Sequence, residues 1–138
     1  MDIRVVSFAD DNASTIIKIR TNVFVKEQGI DSKIDFDGLD KTATHVLVYR
    51  RDNAIATGRM LDDAHIGRIA VLKEFRSSGA GTSVVLALIK VAKQKDFPRV
   101  YLGSQTHAVG FYEKLGFNVC SEVFIDAGLE HVEMEILL

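Results

Sequence analysis

A chain of 138 residues, 47% hydrophobic and 26% charged, has the size and balance of one folded domain able to bury a core without disulfides or metals to staple it. Its formal charge of −2, from 17 Lys+Arg against 19 Asp+Glu, offers no general positive field to a phosphodiester backbone and excludes nucleic acid as the main partner. The single cysteine, Cys120, cannot form an internal bridge, and no apolar run approaches the ~18 residues of a membrane span. The opening MDIRVVSFADD lacks the apolar stretch of a secretory signal, so the expected setting is cytoplasmic, with no membrane partner.

Taken in chain order, Ile3 to Phe8 reads as a first strand, and Asp10, Asp11 and Asn12 supply side chains suited to cap a helix. Ile16, Ile17, Ile19, Val23 and Phe24 then recur at helical spacing up to Gln28-Gly29. Asp31 to Asp40 is acidic and aperiodic and is expected to be a loop. A calcium loop would need an acidic ligand where Lys33 stands and a bidentate Glu where Thr44 stands, so calcium is rejected. The runs His45 to Arg50, Ala54 to Leu61 and His65 to Val71, separated by short polar turns, predict an antiparallel meander. Gly79 to Lys95 carries Val84, Val85, Leu88, Ile89 and Ala92 on one face of a helix. Pro98 precedes a strand at Val100 to Leu102, His107 to Leu115 reads as a short helix closed by Gly116, and Phe117 to Ile125 and Leu129 to Leu138 finish as two strands.

The segment Arg76-Ser77-Ser78-Gly79-Ala80-Gly81-Thr82 lies between a strand and a helix. The first amides of a helix have no internal partner and sit at the positive end of its dipole, so this turn can hold phosphate. Arg76 adds a forked cation, and Ser77, Ser78 and Thr82 add hydroxyl donors. No lysine follows Gly81, which excludes a Walker loop, and Val84 replaces the third glycine of a dinucleotide-binding turn.

Arg76-x-x-Gly79-x-Gly81, after the strand Ile66 to Val71, resembles the acetyl-CoA-binding signature of the GNAT (GCN5-related) N-acetyltransferases. Ala108 to Phe117 (AVGFYEKLGF) resembles a second segment of that family at the expected distance downstream. Phe24 to Gln28 and Asp126 to His131 are similar to the small bacterial ElaA/YjcF-like subgroup. The resemblance covers most of the chain and implies a single domain over 1–138 with an α/β (α+β) fold: a mixed, mostly antiparallel central sheet flanked by helices, with the usual second helix replaced by the acidic loop. It implies acetyl-CoA as cosubstrate and an amine as acceptor, and a homodimer is compatible with it. Ile69, Ala70 and Val71 would meet the pantetheine arm, Arg76 to Thr82 the pyrophosphate, and Ala108, Phe111 and Tyr112 the rest of the cofactor.

In direct transfer a neutral amine attacks the thioester and the CoA thiolate leaves. The Val71 amide is the expected polarising group for the carbonyl, and Tyr112 the group that protonates the thiolate. The base is drawn from Glu27, His45, His107, Glu122 and His131, with Glu27 ranked first and water as a substitute. The histidines show no zinc spacing, so no metal is expected, and Cys120 reads as an inert, buried or half-buried thiol in a strand. Asp31, Asp35, Asp37 and Asp40 are expected in a solvated loop, with a cationic acceptor as the alternative partner for them. The competing function is an acyl-CoA-binding sensor that transfers nothing.

Overall fold

The computed structural model describes residues 1–138. Strand β1 (Asp2–Val6) leads into helix α1 (Asp10–Arg20), which continues as a π-helical stretch over Thr21–Glu27. After the one-turn helix α2 (Ser32–Asp35) come β2 (Thr44–Arg50), β3 (Asn53–Met60) and β4 (Ile66–Val71). Helix α3 (Ala80–Gln94), β5 (Arg99–Gln105), helix α4 (Val109–Lys114), β6 (Asn118–Val119), β7 (Phe124–Asp126) and β8 (Leu129–Leu137) complete the chain.

The strands form two antiparallel sheets. One runs β1-β2-β3-β4; the other runs β5-β8-β6, with β7 also paired to β8. They meet at one place only, a parallel bridge between His65 and Tyr101, where the Tyr101 amide donates to the Ala64 carbonyl at 3.2 Å. Past this bridge β4 and β5 no longer pair, and their facing edges are left open.

Side-chain alternation explains the two cores. Val46 and Val48 of β2 point to the α3 side, where Val84, Val85 and Leu88 are completely buried, while Leu47 points to the α1 side and clusters with Ile16, Ile19 and Val23. Each such buried aliphatic chain is worth about 1.5–3 kcal/mol, so the apolar faces of α1 and α3 largely decide where those helices lie. Helix α3 approaches β3 closely enough that a Cβ at Gly58 would come within 2.4 Å of a Val84 methyl, which glycine alone avoids.

Opposite Gly58, β4 carries an extra residue. The pairing passes from Arg59–Gly67 to Thr57–Ala70, and Arg68 takes up the bulge at φ 52°, a left-handed conformation that a long side chain adopts at a cost of order 1 kcal/mol. The interactions that hold Arg68 there overturn the expected solvated loop. Arg20, Arg59 and Arg68 alternate with Asp35, Asp37 and Asp40 in a closed ring: Arg20–Asp40 2.6 Å, Asp40–Arg59 2.9 Å, Arg59–Asp37 2.6 Å, Asp37–Arg68 3.3 Å, Arg68–Asp35 3.2 Å and Asp35–Arg20 3.3 Å. Each carboxylate bridges two guanidinium groups. Arg20, Asp35, Asp40 and Arg59 are all at most 5% exposed. Burial pushes the Asp40 carboxyl up, but hydrogen bonds and charge from Arg20 and Arg59 more than offset this and leave it below the usual range.

The acidic residues are therefore bound into the fold, and Asp31 accepts the Lys33 amide at the start of α2. A short second helix is present where a loop was expected. The expected strand Phe117 to Ile125 is likewise divided. After Val119 the Cys120 amide still reaches the Glu133 carbonyl at 2.8 Å, but the Glu133 amide donates to the Ser121 hydroxyl at 2.7 Å, so a side chain takes a main-chain place and the pairing lapses until Phe124.

Candidate active site

The open edge of β4 organises the site. The Leu72 amide donates to the Ile55 carbonyl on the β3 side at 2.9 Å, so alternation directs the amides of Val71 and Ile69 to the free edge. Ala70 faces the other way, contrary to expectation: it pairs with Thr57, and its methyl group is buried with Ile16 and Leu47. It has no group to offer a ligand on the open edge.

At the C-terminal end of that edge lies a cleft of about 440 Å³ lined by Val71, Arg76, Ser77, Gly79, Thr82 and Phe111, among others. The amides from Ser77 to Thr82 make no main-chain hydrogen bond, and the first that bonds back is Ser83, to the Gly79 carbonyl at 3.0 Å. Ser77 and Gly79 are both left-handed, at φ 63° and 88°, which curls the chain around the start of α3. Unpaired amides at the positive end of a 15-residue helix form a site for an anion. Ser78 is the exception among the expected hydroxyl donors, because its Oγ already donates to the Phe75 carbonyl.

At the other end a cavity of about 320 Å³ opens between β4 and β5. Its wall includes Phe24, Gln28, Ile30, Arg68, Ala108 and Tyr112, together with His65, His107 and His131. Ile69 lines both spaces, so one ligand can run from the amides of the turn to the cavity along β4.

Tyr112 projects from α4 with its ring edge-on to Phe111 and Phe117, at 5.0 and 5.8 Å between centroids. Burial pushes its phenol up to about 12, which keeps it protonated throughout the neutral range. His131 is 9% exposed, and its Nδ1 lies 2.9 Å from the Leu129 carbonyl. A carbonyl only accepts, so Nδ1 carries the proton and a neutral ring keeps its lone pair on Nε2, which has no hydrogen bond within the chain.

The other expected bases fare differently. Glu27 does not line the cavity; its carboxylate makes a bidentate pair with Arg76, at 2.5 and 2.8 Å. The hydrogen bonds from Arg76 hold it below its ordinary pKa, which weakens it as a proton acceptor. His45 is buried beneath the charge ring, with Nε2 donating to the Asp40 carbonyl at 2.9 Å, and desolvation lowers its pKa. Glu122 is exposed and outside the cavity, whereas His107 lines it and has Nε2 on the Gln105 side-chain oxygen at 2.7 Å. Cys120 is exposed rather than buried; local desolvation and Glu133 together push its thiol up to about 11, away from a reactive thiolate.

Arg20, Arg59 and Arg68 escape a reading by apolar periodicity, yet a signal for them exists. Arg20 stands four residues after Ile16 on the buried face of α1, and Arg59 lies inside the buried run of β3. Charged residues at core positions imply partners elsewhere in the chain.

A split antiparallel sheet, a bulged strand beside the split and unpaired amides at the start of the following helix fit the GNAT class of acyltransferases. The family model described as Acetyltransferase (GNAT) domain matches residues 16–138, and the chain belongs to this family. It is 38% identical to the uncharacterized N-acetyltransferase YjcF of Bacillus subtilis over 84% of this chain and 86% of that one. The crystal structure of Escherichia coli ElaA superposes with a TM-score of 0.88 at 26% identity, covering 98% of this chain and 99% of that one. An acyl-CoA N-acyltransferase from Pseudomonas aeruginosa superposes with a TM-score of 0.87 at 26% identity and the same coverage.

Proposed function

We propose that the chain transfers an acetyl group from acetyl-CoA to a primary amine of a small molecule or peptide, without a covalent enzyme intermediate. The observation that carries this reading is the continuous track from the amides of Ser77–Thr82, along the free edge at Val71 and Ile69, into the cavity with Tyr112 and His131. The pyrophosphate binds at the turn, and the pantetheine arm pairs with β4 as an added strand would. Phe111 and Ala108 flank its path. The acyl-CoA N-acyltransferase of Pseudomonas aeruginosa, alike over nearly the whole chain, supports an acyl-CoA donor.

In the cavity the neutral amine attacks the thioester carbon, the Val71 amide stabilises the oxyanion, and the carbon–sulfur bond then breaks to release thiolate. We assign the base to His131, whose free Nε2 takes the amine proton. A phenol at about 12 is a weaker acid than an alkyl thiol, for which cysteine sets the scale at about 8.5, so it gives up its proton to the thiolate only uphill. Tyr112 therefore works by donating a hydrogen bond to the departing sulfur. No metal enters this scheme.

An amine panel with acetyl-CoA, read by release of free thiol, tests the reading. Thiol release that depends on one class of amine supports it; CoA binding with no release on a broad panel supports the acyl-CoA sensor instead. Tyr112→Phe is expected to lower kcat about tenfold to a hundredfold and leave CoA affinity nearly intact. Unchanged turnover removes Tyr112 from the chemistry. His131→Ala should lower kcat at neutral pH, and undiminished activity would leave the base to water.

A further inference from the structure

Glu27 stands at a junction between the two halves of the site. It is the last residue of the π-helical stretch, and the Gln28 amide closes that stretch on the Val23 carbonyl at 3.1 Å. Phe24 within the stretch, and Gln28 and Ile30 just after it, form part of the wall of the 320 Å³ cavity. The Glu27 carboxylate, however, points to the phosphate turn, where its oxygens accept from Nη1 and Nη2 of Arg76. Arg76 is anchored by its other edge, with Nε donating to the Val71 carbonyl at 3.1 Å.

A guanidinium presents one Nη1–Nη2 fork, and here a carboxylate fills the fork that a pyrophosphate would use. The pair is 40% and 36% exposed, so solvent screens it and it is weak enough to be exchanged. A pyrophosphate carries more negative charge than the carboxylate and also gains the unpaired amides of the turn. Once it takes the fork, the carboxylate is left beside phosphate oxygens and is repelled. Resting on the acetyl-CoA reading above, we propose that Glu27 is a positioning residue: it holds Arg76 in the free chain, yields it to the pyrophosphate, and thereby lets residues 21–30 shift and reshape the acceptor cavity.

The test titrates CoA and pantetheine, which lacks the pyrophosphate, into the wild type, Glu27→Gln, Glu27→Asp and Arg76→Gln. Removing the competing charge in Glu27→Gln should tighten CoA about three- to fivefold at low salt, with the gain shrinking at high salt, and leave pantetheine unchanged. Glu27→Asp, which keeps the charge on a shorter arm, should fall between, and it stands in should Glu27→Gln fold poorly. Arg76→Gln should weaken CoA. The chain contains no tryptophan, so Phe24→Trp places a single reporter in the cavity wall. Its emission should change on adding CoA but not pantetheine, and that change should largely vanish when Glu27→Gln is combined with it. If Arg76→Gln weakens CoA while Glu27→Gln leaves it unchanged or weaker, the exchange is overturned and the phosphate site stands. If neither substitution alters CoA affinity, the phosphate site itself fails.

Discussion

Two groups of opposite charges hold the region around β4, and they differ in almost every physical respect. The ring of Arg20, Arg59 and Arg68 with Asp35, Asp37 and Asp40 is closed, mostly buried and charge-balanced, and each of its carboxylates meets two guanidinium groups. The Glu27–Arg76 pair is a single exposed contact between two elements that nothing else in that network joins. Burial makes the ring costly to break and thus a determinant of structure, because a buried charge left alone has no water to turn to. Exposure makes the pair cheap to exchange, which suits a contact that a ligand must displace.

The largest expected effect comes from opening the ring. Asp40→Ala leaves Arg20 and Arg59 buried without a shared partner and should destabilise the fold by about 3–5 kcal/mol, read by urea or thermal unfolding. A loss below about 1 kcal/mol would mean that the ring contributes no more than surface pairs do. Acid should reveal the same difference. Asp37 and Asp40 have folded-state pKa values below their unfolded ones, near about 3.9, so the unfolded chain binds more protons in that range. Their stabilisation is complete above that value and is lost as the pH falls through the folded pKa. Stability should thus decline below about pH 4 in the wild type and less steeply in Asp40→Asn; parallel acid limbs would separate the ring from acid unfolding.

A middle-sized effect is expected at Arg68, where glycine would suit the left-handed bulge but would remove the partner shared by Asp35 and Asp37. Arg68→Gly should therefore be net destabilising, by about 1–3 kcal/mol, with the loss of paired charge exceeding the relief of strain. A more stable variant would show that the bulge, rather than the ring, governs this strand. The smallest effect on stability belongs to Arg76→Gln, which should leave the melting temperature nearly unchanged while CoA affinity falls, as equilibrium binding and thermal unfolding of one sample would report.

Much of the fold is legible along the chain because its signals are local. The period of α3, the meander of β2 to β4 and the Gly79–Gly81 turn lie within short windows, and the phosphate end of the site follows from them. The ring is not legible in that way, since Arg68 meets Asp35 and Asp37 across more than thirty residues and the acidic segment looks solvated when its partners are out of view. The same distance hid the fate of Glu27, whose guanidinium partner lies 49 residues further on. Ala70 differs for a simpler reason: it stands between Ile69 and Val71, so the alternation that turns those two to the free edge turns Ala70 to β3 and the α1 core.

Gly58 ties the interior to the ligand from a distance. With no side chain between β3 and Val84, α3 settles at a height above the sheet that one added carbon would alter. That height also sets where the first turn of α3 presents its amides relative to the free edge of β4. A methyl group placed at Gly58, inside the molecule and in contact with no ligand, would therefore be felt as a misfit between the two ends of the bound cofactor.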